Sequence, residues 1–355
     1  MRAASLVVRA FRNLADAEIG IPPGGIALLG PNGHGKTNLL EALGYPVLFR
    51  SLRGARDRDV ARFGGPGFHV AVTRDDGVAV AATWEGVQSR KRVTVGGEAI
   101  PRITDALGAW LAVAFLPTDL ALVQGAASER RRWLDRMLSL ATPSYLEGLL
   151  AYRAAVAQRN AALRRGEMPL ATAFDVPMAR AGAAVVAGRL EWVAGAESAW
   201  REELAALGEP LDVTLRYRGD AALADPDAWP ARLADARSRD LGRGQSHVGP
   251  HRDDLLLGLA GRSLREFGST GQQRSAAIAL RLLEHQTLMA RRGTAPPLLV
   301  DDIFAELDGG RQAALATRLV RDAAQLVVTG PRAEDVPLAL EVPRWHVNDG
   351  VIQRQ

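Results

Sequence analysis

The residues with the clearest chemical purpose lie in one octapeptide, Gly30-Pro31-Asn32-Gly33-His34-Gly35-Lys36-Thr37. It fits the pattern Gly-x-x-x-x-Gly-Lys-Ser/Thr, a P-loop, in which glycines let backbone amides converge on phosphate oxygens and a helix N-terminus adds positive potential. Lys36 is suited to reach the β and γ phosphates of ATP, and Thr37 to ligate magnesium. The binding set expected here is Gly30, Asn32, Gly33, His34, Gly35, Lys36, Thr37 and Asn38. Of 44 Lys plus Arg residues, only Lys36 and Lys91 are lysines, so a lysine at this position stands out. Chance matches in a chain of this composition are of order 0.001, which sets aside a plain glycine-rich helix cap.

A second cluster, Leu298-Leu299-Val300-Asp301-Asp302, reads as an apolar strand whose carboxylates emerge at its C-terminal edge, where ligands bind in open α/β sheets. Asp301 is suited to hold magnesium, and Asp302 to orient or deprotonate an attacking water, which makes Asp302 and Lys36 the expected catalytic pair. On its own such a strand end could be a solvated edge; the P-loop upstream supplies a nucleotide for it to act on. The interval from Gly30 to Asp301 far exceeds one crossover helix, so a whole lobe lies between the two motifs. Shortly before the strand, Ser269-Thr270-Gly271-Gln272-Gln273-Arg274 opens a predicted long helix. This resembles the ABC ATPase signature, in which hydroxyl, glycine amide and helix N-terminus point outward at an anion. Ser269, Gly271 and Gln272 are ATP-contact candidates on that basis, and Glu306-Leu307-Asp308 follows at the offset of an ABC D-loop. In ABC ATPases the P-loop and signature face each other between subunits, so one of each per chain implies an ATP-induced homodimer.

These residues need elements to hold them. Residues 6–8 and 26–29 read as strands feeding the P-loop, and a helix follows it. Short β-type runs at 69–73, 78–84 and 92–95, broken at Asp76-Gly77 and Gly96-Gly97, predict an antiparallel β subdomain. From about 128 to 206 the sequence turns to Ala, Leu, Arg and Glu with helical periodicity, interrupted at Pro143, Pro169 and Pro177. After 250, a strand at 255–259, a helix at 271–292 and strands at 297–300 and 325–329 have the rhythm of a parallel α/β sheet. The expected architecture is an α/β ABC-type P-loop ATPase head, with a mixed sheet, an antiparallel β subdomain and an inserted α-helical lobe. Residues 1–125 and 245–355 would form the ATPase lobe, and 126–244 the helical lobe. No sustained heptad pattern predicts a coiled-coil arm.

Composition agrees with a folded soluble protein: 355 residues, 47% apolar and 24% charged. Absence of cysteine excludes disulfides, zinc fingers and thiol catalysis, and no apolar run approaches a membrane span, so a cytoplasmic location without a membrane partner is expected. The net charge of +4 is weak evidence for nucleic acid; the high pI, about 9.9, follows from the arginine skew.

Several further segments point to a family. Phe11-Arg12-Asn13-Leu14, the run Gly-Lys-Thr-Asn-Leu-Leu-Glu-Ala at 35–42, Gln158-Arg159-Asn160-Ala161 and Gly249-Pro250-His251-Arg252-Asp253-Asp254 together resemble the RecF family, bacterial recombination and gap-repair ATPases related to SMC proteins. The resemblance covers essentially the whole chain. It implies a weak, DNA-stimulated ATPase that uses ATP and Mg2+, favours duplex DNA at gapped junctions, and works with RecO and RecR to load RecA. It also implies that Arg12 and Asn13 approach the phosphates or ribose. Three features depart from the ABC pattern: Asp302 replaces the usual glutamate, Thr329-Gly330 stands where a switch histidine is expected, and Gln124 is only a candidate for the Q-loop glutamine. A transporter ATPase subunit and a non-hydrolysing, nucleotide-gated scaffold are the rival readings.

Other residues carry two readings each. Arg130, Arg131, Arg132 and Arg136 could contact DNA phosphates, or instead form a solvated helix face or pack within the lobe, and Arg164-Arg165 is treated alike. His247, His251 and Asp253 could form a metal cluster, but Gly249 and Pro250 between them favour a structural turn with interlobe coupling. Trp133, Trp192 and Trp200 are simplest as core.

Overall fold

Residues 25–29, Gly-Ile-Ala-Leu-Leu, are buried along their whole length, the mark of a strand covered on both faces. In the computed structural model, which describes residues 1–209 and 212–354, this strand lies in the first of two compact units. The first unit comprises Met1–Asp119, Ala206–Glu209 and Ile278–Gln355, and the second Leu120–Ala205 and Pro210–Ala277. Residues 245–277, expected with the ATPase lobe, therefore fall in the second unit.

In chain order the strands begin with β1 (Ala3–Arg9), β2 (Ala17–Gly20), β3 (Gly25–Leu29) and β4 (Gly67–Arg74). They continue with β5 (Ala79–Glu85), β6 (Arg90–Val95), β7 (Glu98–Ala99) and β8 (Val113–Phe115). The second unit holds β9 (Val213–Arg218), β10 (Asp254–Leu259) and β11 (Arg262–Ser263). Back in the first unit are β12 (Leu298–Asp301), β13 (Leu326–Gly330), β14 (Arg344–Asn348) and β15 (Val351–Arg354).

The first unit has two sheets. One, ordered β2-β1-β4-β5-β6-β7, is antiparallel throughout, and its hairpins turn at the Asp76-Gly77 and Gly96-Gly97 dipeptides. The other, ordered β15-β14-β3-β13-β12-β8, is parallel except for the β14–β15 hairpin at its edge. The helix Lys36–Leu48 leaves the loop after β3, and Tyr45 on it meets Phe11 and Phe68 edge-on, at ring-centroid distances of 6.0 and 5.2 Å. That aromatic cluster packs the P-loop helix against the antiparallel sheet.

Register decides what the parallel sheet can do. Leu29 pairs with Gly330 and Asp301 with Thr329, so the end of β3, Thr329 and Asp301 arrive at one level of one edge. Neighbouring parallel strands end together, which brings side chains from distant parts of the chain to a common rim.

The second unit is mainly helical: Ala127–Ala141, Pro143–Arg164, Met168–Ala173, Asp175–Ala206 and Trp229–Arg243. Pro143 and Pro169 open helices instead of breaking them, because the first turn has no acceptor for the missing N–H. Strand β10 corrects the sequence reading. It was expected in the parallel sheet, but it pairs antiparallel with β9 and β11 in a separate three-stranded sheet. β9 went unseen beside it, since its six residues follow a long helical run. Among the described residues, no helix is long and apolar enough to cross a membrane.

Candidate functional site

The loop between β3 and its helix is shaped by three glycines at positive φ: Gly30 at 142°, Gly33 at 84° and Gly35 at 112°. At Gly30 a Cβ would lie 2.4 Å from the Val347 carbonyl oxygen of β14, so only glycine fits. Gly35 is the N-cap residue of the helix, whose first-turn amides have no intrahelical acceptor. The Lys36 ammonium donates to the carbonyls of Gly30 at 2.5 Å and Pro31 at 2.9 Å, and burial holds its pKa below the usual lysine value, against the pull of Asp302 and Asp301.

Across the cleft, Asp301 accepts hydrogen bonds from Thr37 and from Thr329, each at 2.9 Å through Oδ1. The Thr329 hydroxyl in turn accepts the Asp302 backbone N–H at 3.0 Å. Burial raises the Asp301 carboxyl above its ordinary value, while the two threonines, Arg53 and Lys36 counteract it. Burial also raises Asp302, reinforced by the adjacent Asp301 charge. Asp302 sits at φ 53°, and its buried Oδ1 has no hydrogen-bond partner among the described residues. A carboxylate held so, with an unused acceptor, is suited to take a proton or position a water. The cleft has a volume of about 340 Å3 and is lined by Asn32, Gly33 and Gly35 to Asn38 of the P-loop, with Arg53, Pro117, both aspartates and Thr329.

The structure brings together Gly30, Asn32, Gly33, Gly35, Lys36, Thr37, Asn38, Asp301 and Asp302. Asn13 joins them, donating to the Gly33 carbonyl at 3.1 Å and accepting from Asn38 at 2.7 Å. His34 faces the β14–β15 turn: its Nδ1 lies 3.1 Å from the Asp349 N–H, and its carbonyl accepts from Gly350 at 2.9 Å. Arg12 points elsewhere than expected. Its guanidinium grips Glu41 of the P-loop helix at 2.9 and 3.0 Å, which ties its phosphate-binding groups to a carboxylate.

Sequence reasoning missed Arg53, which binds Asn38 at 2.5 Å and also Glu41 at the cleft wall. One arginine among so many gives no signal, and only its position after the P-loop helix could have drawn notice. It also treated Thr329 as a departure from a pattern, whereas the hydroxyl organises both aspartates.

In the second unit, Ser269 and Gln272 form a reciprocal cap: the Gln272 N–H reaches the Ser269 hydroxyl at 3.2 Å, and the Ser269 N–H reaches the Gln272 side chain at 2.9 Å. Ser269 is exposed and Gly271 half-buried. Gln124 donates to Gln273 at 2.6 Å, within that same unit. In the first unit, Asp308 caps the helix Gly309–Asp322 through the Arg311 N–H, and both Asp308 and Glu306 are exposed.

The arginine triplet divides. Arg130 is a half-buried fork on buried Asp254, at 2.8 and 3.0 Å, so its guanidinium is engaged inside the unit. Arg131 is half-buried against the Asp253 carbonyl, with its pKa lowered by burial and by Arg189. Arg132 alone of the three is exposed, beside Glu129. His247 bonds Asp240 at 2.8 Å, while His251 lies between Tyr152 at 2.5 Å and the Ser246 carbonyl at 3.0 Å. Buried Arg159 joins Asp175, Asp240 and Ser246, and Asn160 accepts from Ser246 at 2.7 Å. The Gln-Arg-Asn-Ala and Gly-Pro-His-Arg-Asp-Asp segments thus meet through one buried polar network. Trp133 packs edge-on against Trp192 at 5.5 Å, and Trp200 is fully buried.

With this geometry in place, comparison with known proteins gives an unambiguous relation. The chain is 36% identical over its full length, and that of the relative, to the DNA replication and repair protein RecF of Streptomyces avermitilis. It is 35% identical over 99% of both chains to the RecF of Anaeromyxobacter dehalogenans. The chain belongs to the RecF family. No protein-family model matches it. A solved structure of the recombination mediator protein RecF-ATP in the RecFOR pathway superposes with a TM-score of 0.90 at 26% identity, covering 100% of this chain and 97% of that one. An SMC head domain from Pyrococcus furiosus shares the fold, at a TM-score of 0.59 and 15% identity over 99% of this chain and 95% of that one. The fold is thus that of an SMC-like ABC ATPase head, and membership in a DNA replication and repair family replaces the transporter-subunit reading.

Proposed function

We propose that this protein is an ATP-gated DNA clamp of recombinational repair, in which ATP joins two copies around duplex DNA and slow hydrolysis releases them. The observation that carries this reading is the contact between the Thr37 hydroxyl and the Asp301 carboxylate, directly beside a P-loop lysine. Hard oxygen donors so paired suit Mg2+, which Thr37 and Asp301 would hold; when bound, it neutralises charge on the β and γ phosphates. Lys36 exchanges its loop carbonyls for phosphate oxygens, and Arg53 adds a second cation at the wall of the cleft. Asp302, with an unused buried oxygen and a raised pKa, orients the attacking water, and its short side chain accounts for slow turnover. The exposed Ser269 cap supplies an anion-facing tip for the nucleotide of the other copy. RecO and RecR are the expected partners at gapped junctions, and DNA stimulation of turnover is the expected regulation.

The test is Asp302→Asn. It should bind ATP normally, lower phosphate release by about 10²–10⁴-fold, and accumulate an ATP-dependent crosslinked dimer with a long-lived DNA complex. Ser269→Arg should abolish the dimer. An Asp302→Asn protein that stays monomeric at saturating ATP defeats the clamp. Wild-type release no faster than that of Asp302→Asn, with or without gapped DNA, supports a non-hydrolysing scaffold instead.

A further inference from the structure

The outer face of the three-stranded sheet carries an unusual set of cations. Strand alternation turns Thr214, Arg216 and Arg218 of β9 to one side, and register sets them opposite Gly258, Leu256 and Asp254 of β10. Together with residues 261–263, Arg265 and Glu266, they line an open groove of about 570 Å3 holding five arginines against two carboxylates, Asp254 and Glu266. Asp254 is already saturated by the Arg130 fork and by Arg218 at 3.2 Å. Arg216, Arg262 and Arg265 have no carboxylate within ion-pair distance among the described residues, and all three are exposed. Arg262 lies over the Phe267 ring at 5.0 Å. The floor is kept low by Gly258, where a Cβ would come within 2.3 Å of the Thr214 hydroxyl.

Unpaired cations crowded on one face repel each other and are retained at a cost unless a polyanion neutralises them. Exposed arginines and hydroxyls suit phosphate oxygens, which take most such contacts at protein–DNA interfaces, and among the described residues no Asn or Gln stands beside them to read adenine. We propose that this groove seats the sugar-phosphate backbone of duplex DNA, an assignment that rests on the DNA-clamp reading above. The groove is also mechanically joined to the signature tip. Gln273, two residues beyond the Ser269-Gly271 turn, donates to the carbonyls of Leu264 at 3.2 Å, Arg265 at 2.8 Å and Gly268 at 3.0 Å. The groove wall and the helix tip are thus tied by one side chain, which would carry a shift of the tip to the phosphate contacts.

The test is a salt titration of duplex-DNA binding with ATP present, comparing the wild type with Arg216→Ala/Arg265→Ala and Arg216→Lys/Arg265→Lys. Each phosphate contact contributes about 0.9 to the slope of log K against log salt, so the alanine pair should flatten it by about 2. Affinity should fall equally on unrelated DNA sequences, with ATP affinity unchanged, and the lysine pair should keep most of the slope. A wild type that binds DNA alongside an alanine pair with the same slope overturns the groove and leaves the clamp standing. An unchanged slope with lost binding of an acidic protein partner reassigns the face to protein and also overturns it. A wild type that binds no duplex overturns the clamp and this assignment with it.

Discussion

Thr329 offers the sharpest test of how the site is held. Its side chain is 1% exposed, donates to Asp301 at 2.9 Å and accepts the Asp302 N–H at 3.0 Å. Thr329→Val keeps the shape and removes both bonds. The stranded amide costs about 1–3 kcal/mol, and loss of one of two hydroxyl donors to a buried carboxylate adds to it, so about 2–3 kcal/mol in all is expected. For a unit of this size that is a fall in Tm of roughly 4–12 °C. The pH dependence fixes the cause. Asp301 has a pKa raised above its ordinary value, and Thr329 is among the groups that restrain the rise. Over the interval between the ordinary and the folded value the folded state binds more protons, so ionisation of Asp301 opposes folding and the penalty is relieved as pH falls through that interval. Removing the hydroxyl enlarges the penalty. The deficit of Thr329→Val should therefore be greatest at neutral pH and shrink on acidification, while Thr329→Ser behaves as wild type. Thermal unfolding without nucleotide, from neutral pH down into the carboxylate range, reads this directly. An unchanged Tm at neutral pH, or a deficit that grows with acid, refutes the argument.

Glu41 should show the opposite pH behaviour. Burial raises its pKa, but hydrogen bonds from Arg12, Arg53 and Ser51 outweigh this and leave it lowered, so its contribution is present above the ordinary carboxylate range and lost as pH falls through the folded value. Glu41→Gln should cost about 3–5 kcal/mol at neutral pH by urea unfolding, with a gap that closes in acid; a gap independent of pH would argue against the network. Gly350 sits at φ 78°, and a Cβ there would meet the Asn13 carbonyl oxygen at 2.0 Å. Gly350→Ala should destabilise by about 1–3 kcal/mol and weaken ATP binding by displacing Asn13 and the P-loop; equilibrium nucleotide titration checks it, and unchanged affinity rejects the brace.

Much of the first unit was legible because its signals are local. Glycines at fixed offsets specify a phosphate loop, Asp-Gly and Gly-Gly specify hairpins, and a run of Leu and Val before two aspartates specifies a buried strand. Where the reading went astray, the deciding interaction joined distant residues. β10 reads as an α/β strand until β9, far upstream in sequence, pairs with it. Arg12 and Arg130 each fork onto a carboxylate distant in sequence, Glu41 and Asp254, a pairing that no local pattern announces.

The sequence by itself determined the chemistry on offer: a lysine and hydroxyl after a glycine turn, two acids at the end of an apolar strand, and a serine-glycine helix start. Each of these is set by residue type and by steric preferences within a few positions of chain. Only the tertiary structure decided which charged groups face a ligand and which are spent on one another. Thr329 became the holder of both aspartates because parallel register set β13 beside β12. Among the described residues, Arg216 and Arg265 are left without a carboxylate partner in a groove where Asp254 is taken by Arg130 and Arg218.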